Sequence, residues 1–223
     1  MPWPISGLDP ATLSDGFSAL FASAVFEPVF GLDLAGNAYP TLAEAMPSKT
    51  FDGSRVTLRA GLRTGAGRPL TAADVVATLA RARTRGAQGL LGELEPPRLE
   101  PQQPLSVLFP KANVDVVART VASPLLALVP RHVSPLAPDG CGAFKVELAR
   151  GRAVFSRNPS AARGPAYLDA IEVTATADLA ELLRGFEAGE TDVAWFGAGL
   201  YRAVKDAVSF ETPRYAFAVL MAG

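Results

Sequence analysis

The sequence predicts an α/β fold in which short strands and modest helices are joined by many turns. Three observations carry this. Residues 52–63, followed by 67–76, read as a short strand, a Gly-rich turn and then a helix whose start signal is written out at Thr71. A second amphipathic helix, from Asp178, ends at Gly189 and leads into an apolar run. The 20 glycines and 19 prolines among 223 residues impose turns and leave little room for long helices.

From the N-terminus, Leu8-Asp9-Pro10 reads as an entry strand. Phe17, Leu20, Phe21, Ala24 and Val25 then recur at helical spacing until Pro28 closes the run. Asp33 to Asn37 forms a hairpin turn, because Gly36-Asn37 accepts positive φ. In the helix that follows the strand of residues 52–63 and its Gly-rich turn, the Thr71 hydroxyl can accept a first-turn amide and Asp74 completes a box-like cap. Arg81, Arg83 and Arg85 decorate its end, either as a solvated, dipole-compensating turn or as a phosphate patch. Residues 86–110 are Gly/Pro-rich around a strand at 105–109. Asn113 to Thr120 alternates and reads as a further strand. Gly140-Cys141-Gly142 permits an unusual backbone path and close approach to a neighbour. Strands follow at 144–155 and 171–176, and Asp192-Val193-Ala194 reads as another after the second helix.

Composition restricts the function classes. Apolar residues are 49% and charged residues 19%, a globular balance. The net charge of −1 supplies no global field for nucleic acid or an anionic membrane. With one cysteine, no internal disulfide can form, and one cysteine with one histidine cannot complete a four-ligand zinc site. His132 lies in a Pro-bounded loop without a nucleophile motif, and reads as a surface histidine. Glu93 with Glu95, and Glu187 with Glu190 and Asp192, are not framed by a motif that raises a pKa. No phosphate-cradling Gly-x-x-x-x-Gly-Lys-Ser/Thr loop is present. No catalytic residue, metal ligand or cofactor is assigned. Cys141 is either a small buried residue or, in a thiol enzyme, a nucleophile lacking a nearby base.

Several stretches, in order, carry a family resemblance: Leu8-Asp9-Pro10 with 25–32; Tyr39-Pro40-Thr41-Leu42-Ala43; 67–76; Gly140-Cys141-Gly142-Ala143-Phe144; Arg157-Asn158-Pro159 with 163–173; and Gly189-Glu190-Thr191-Asp192-Val193. Together they resemble the extracellular solute-binding proteins of the peptide/nickel type (family 5), receptor components of bacterial ABC importers. Cys141 stands where the family commonly has Thr, and Ala143 where it has Pro. The resemblance implies an α/β type II periplasmic-binding-protein-like architecture, one large lobe plus the family's small extra domain. Residues 1–40 and 140–223 would form the first lobe, and 41–139 the small inserted domain. It further implies recognition of a short peptide or other small solute by a monomer that delivers it to membrane permease subunits, without nucleic acid. Ser14, Phe17, Trp195, Phe196 and Gly197 are then expected at the solute, with Gly140, Cys141 and Gly142 as a hinge. Trp195 and Phe196 equally suit core filling. The first ten residues lack a signal peptide's basic and apolar regions, which suits either a cytosolic protein or a trimmed form of a periplasmic or cell-surface one, and the resemblance favours the trimmed form. Two rival classes are the ligand-sensing domain of a regulator, which would need a DNA-binding segment, and a thiol- or His-dependent enzyme.

Overall fold

The computed structural model describes residues 4–5, 7–13, 16–134 and 137–194. The described residues between 4 and 175 pack as one compact unit, and 176–194 belong to a second unit described below by itself.

Leu8-Asp9-Pro10 is not a strand. Asp9 caps a 3-10 turn, Pro10–Thr12, by accepting from the Ala11 amide at 3.1 Å. Pro10 at the first helical position favours that turn, since its fixed φ suits a helix start and its missing N–H costs nothing there. Helix α1, Gly16–Val25, follows. Strands β1 (Phe30–Leu32) and β2 (Ala38–Pro40) form the expected hairpin. Asp33 closes it by accepting from the Ala35 and Asn37 amides at 2.9 and 2.8 Å, with Gly36 at φ 80°. These hydrogen bonds, from Asn37 above all, hold the Asp33 carboxyl below the usual carboxylate range.

An antiparallel four-stranded sheet contains β3 (Ser48–Thr50), β4 (Gly53–Thr57), β5 (Arg98–Glu100) and β6 (Gln103–Pro110), in the order β3-β4-β6-β5. Its inner face presents Val56, Val107 and Phe109 to helix α2, Ala72–Thr84, which buries Val75, Leu79 and Ala82. Val75 and Leu79 each stabilise the fold by about 1.5–3 kcal/mol on burial. A one-turn helix α3, Gln88–Leu91, adds Leu91 to this core. The outer face carries the Arg55–Glu100 ion pair, with Nη2 2.6 Å from Oε1.

Residues 114–120 form helix α4, Val114–Thr120, where the sequence alternation suggested a strand. Asn113 decides the matter: its side chain accepts from the Asp115 amide at 2.8 Å, and Val117, Ala118 and Val121 then fall on one buried stripe. Segment 123–130 is reduced to a 3-10 turn, Pro124–Leu126, tied to α2 where the Thr78 hydroxyl donates to the Val129 carbonyl at 3.0 Å.

Strands β7 (Phe144–Ala149), β8 (Arg152–Arg157) and β9 (Ala170–Thr174) form an antiparallel sheet in the order β7-β8-β9. Phe155, wholly buried, stacks on Phe21 of α1 with ring centroids 5.1 Å apart. The main core cluster runs continuously from Val29 and Phe30 through the four-stranded sheet to Cys141.

In the second unit, helix α5 spans Leu179–Glu187. Asp178 accepts from the Glu181 amide at 2.7 Å, and Glu181 accepts from the Ala177 amide at 2.6 Å. Gly189 ends it at φ 74°. Asp192, Val193 and Ala194, expected as a strand, form none. Among the described residues no helix is long and apolar enough to cross a membrane.

Candidate functional site

Of the residues expected at the solute, Ser14, Trp195, Phe196 and Gly197 lie outside the described residues. Phe17 falls in α1, but its side chain is likewise outside them. Gly140, Cys141 and Gly142 are described, and they sit against the C-terminal end of α1. A Cβ on Gly140 would collide with the Val25 carbonyl oxygen and lie 2.8 Å from the Phe26 ring; one on Gly142 would lie 2.6 Å from the Ala24 carbonyl oxygen. Glycine is required here by close approach and not by φ.

Hydrogen bonds tie this junction on every side. The Gly142 amide donates to the Val25 carbonyl at 2.8 Å, the Gly65 amide to the Gly140 carbonyl at 2.9 Å, and the Ala162 amide to the Cys141 carbonyl at 2.9 Å. Asn158, fully buried, donates its side-chain amide to the Gly142 carbonyl at 2.8 Å and its backbone amide to Ala143 at 2.9 Å. Its Oδ1 accepts from the Ser160 amide at 3.0 Å. The Arg157-Asn158-Pro159 stretch of the sequence thus contains a bracket for the two-glycine motif. That role is visible only once the fold brings them together.

Cys141 is fully buried. Burial, with the Glu27 carboxylate beside it, pushes its thiol up to about 12. Burial likewise raises Glu27, against the opposing pull of Arg163 (Nη1 3.9 Å from Oε2) and Arg59. Arg59 donates to the Ala162 carbonyl at 2.6 Å. A thiol held protonated is a poor nucleophile. A thiol reagent is therefore expected to label Cys141 only as fast as the protein unfolds, following the unfolding rate across a denaturant series. Labelling of the folded chain at the rate of a free thiol would overturn this.

His132 is exposed. Arg81 and Arg83 form neither a solvated helix end nor a phosphate patch. Arg81 pairs with Asp9 at 3.2 Å and Arg83 donates to the Leu94 carbonyl, so both fasten α2 to neighbouring segments. Among the described residues, no group of three His, Cys, Asp or Glu side chains is placed to hold a metal ion.

The strap across Gly140–Ala143 and the capped strand–turn–helix are the structural counterparts of the motifs found in the sequence. The model of bacterial extracellular solute-binding proteins, family 5 Middle, matches residues 37–217. The chain belongs to this family. The family 5 chain resembles in fold NikA from Brucella suis in complex with Fe(III)-EDTA, at TM-score 0.71 and 23% identity, over 86% of this chain and 41% of that one. It similarly resembles MoaA of A. tumefaciens R10 in complex with mannopinic acid, at TM-score 0.73 and 20% identity, over 85% and 42%. The pheromone receptor PrgZ, whose mode of peptide binding has been described, matches at TM-score 0.70 and 16% identity, over 87% and 45%. The chain thus spans about two fifths of the length of these structures. No curated protein matches it. The α/β, periplasmic-binding-protein-like fold expected from the sequence is the fold found, in partial form.

Proposed function

We propose that this family 5 chain supplies part of the solute-recognition component of an ABC importer, acting outside the cytoplasm without catalysis and taking a short peptide as its solute. The observation that carries the reading is the family match over residues 37–217, joined to the fold. The similar structures were solved with a chelated metal, an opine acid or a peptide in view, so the peptide is the narrower part of the proposal. Burial of Cys141 and its protonated thiol support the non-catalytic part. Ser14, Phe17, Trp195, Phe196 and Gly197 enter as solute contacts on the strength of the sequence resemblance. Gly140, Cys141 and Gly142 enter as the fixed point where the chain crosses between lobes, which their close approach to α1 supports. The division of 1–40 with 140–223 against 41–139 is proposed with them, supported by the stacking of Phe21 on Phe155.

A cleft receptor gains affinity by enclosing solute and excluding water, with hinge closure as the usual motion. A chain spanning two fifths of its relatives is expected to offer one wall, and so to bind short peptides at about millimolar Kd or weaker, about −4 kcal/mol. Calorimetric titration with a peptide library checks this. Micromolar binding would show a complete site in these 223 residues. No heat from any peptide, metal chelate or opine at about ten times that concentration would count against solute recognition.

A further inference from the structure

We infer that the 41–139 segment carries a small-molecule site of its own, a groove across one end of the four-stranded sheet that takes an amphiphilic anion: an apolar body bearing one carboxylate or sulfonate. The groove encloses about 670 Å³, within the range of small-ligand sites. Its apolar floor comes from Leu108, Pro110 and Val114. Phe51, at the β3–β4 turn, stands wholly exposed beside it. A large aromatic side chain left fully in water at the mouth of a groove of mixed polar and apolar lining is a ready contact surface for the apolar part of a ligand.

The charge lining gives the sign of the ligand. Three cations, Lys49, Arg98 and Lys111, face two carboxylates, Asp52 and Glu95. Lys111 Nζ lies 2.7 Å from Glu95 Oε1, and this pairing holds Glu95 ionised and committed. Arg98, on edge strand β5, also acts electrostatically on Glu95, whereas Lys49, on edge strand β3, forms no ion pair among the described residues. One cation is thus in excess; Lys49, in register with Ser54 and Phe109, and Arg98, in register with Leu108, flank the end of the sheet from its two faces.

The walls are set by the backbone. A Cβ at Gly53 would strike the Phe109 carbonyl and lie 2.7 Å from the Lys111 nitrogen. Lys111 holds φ 53°, and its amide donates to the Asp52 carbonyl at 2.6 Å. Few non-glycine residues adopt that conformation, and the bond to the Asp52 carbonyl closes the turn that carries Lys111.

The test uses 1-anilinonaphthalene-8-sulfonate, an apolar body with one sulfonate, titrated by fluorescence into the folded 223-residue chain. Saturable binding is expected. The double substitution Lys49→Glu with Arg98→Glu should weaken it about tenfold or more, and Phe51→Ala about tenfold. Tyr167→Ala, removing another fully exposed aromatic outside the groove, should change nothing. Uncharged 1-anilinonaphthalene should bind more weakly than the sulfonate. No saturable binding, equal loss with Tyr167→Ala, or indifference to the charge reversals would overturn the proposal. Lys49, Phe51 and Arg98 are exposed, so the variants are expected to fold. As a second measurement on the unaltered chain, decanoate should shift the amide resonances of Gly53 and Ala112 ahead of others. Shifts spread elsewhere would equally overturn it.

Discussion

Gly140→Ala is expected to cost about 4 kcal/mol of stability or more, enough to unfold most of a marginally stable domain. The new methyl has nowhere to go. It meets the Val25 carbonyl oxygen and the Phe26 ring, and both neighbours are immobilised: Val25 accepts from the Gly142 amide at 2.8 Å, and Phe26 is buried in the core. Relief would require separating α1 from the 140–143 strap, which breaks the Gly142–Val25 bond and exposes apolar surface around Cys141. Gly61→Ala is the control in magnitude. Gly61 has open space around it but φ 78°, so it should cost only the smaller left-handed penalty of about 1–2 kcal/mol. Equilibrium urea unfolding of the two variants checks the ranking. Equal losses would show that the strap yields and that the close approach is not what selects glycine.

Elements whose signals are local were legible in the sequence. The cap at Thr71 and Asp74, the Asp33–Asn37 turn, the strands at 105–109 and 144–155, and the Asp178–Gly189 helix all appear where expected. Misreadings arose where two local signals competed. At 113–120, Val114, Val116 and the polar residues between them suggested a period of two, yet the Asn113 cap and the Val117–Val121 spacing prevailed because they bury more. Pro124 and Pro130 cut the following run to one 3-10 turn. At Leu8-Asp9-Pro10, the Asp–Pro pair begins a turn where an entry strand was expected. The two-glycine motif reads as a place of close approach, but the partners that make it so, Ala24, Val25 and Phe26, with Asn158 bracketing it, lie far away in sequence and are apparent only through the fold. The 49–54 and 108–114 groove carries no motif. It exists because four strands end together, which spacing along a chain does not reveal.

Asp74→Ala should remove about 3 kcal/mol at neutral pH. Asp74 is almost wholly buried, and each of its oxygens has work: Oδ2 accepts from the Thr71 amide at 2.9 Å and the Thr71 hydroxyl at 3.0 Å, and Oδ1 accepts from the Arg131 amide at 3.1 Å and Nε at 3.3 Å. The reciprocal cap read from the sequence is therefore extended by Arg131 of the following loop, and truncation would leave the Thr71 and Arg131 amides without their acceptor. The same carboxylate sets a pH dependence. Burial raises its pKa, but the hydrogen bonds from Thr71 and Arg131 outweigh burial and hold it below the ordinary 3.8. A depressed folded-state pKa means that the unfolded chain takes up its proton first as pH falls. Stability from Asp74 is thus fully present above about pH 4–5, and is lost as pH drops through the folded-state value. Urea unfolding from pH 7 to pH 2.5 should show the parent protein losing stability below about pH 4, and Asp74→Ala losing less over the same interval, so that the two curves converge in acid. Parallel curves across that range would mean that Asp74 is not held ionised by these bonds, and that the cap stabilises α2 through the backbone alone.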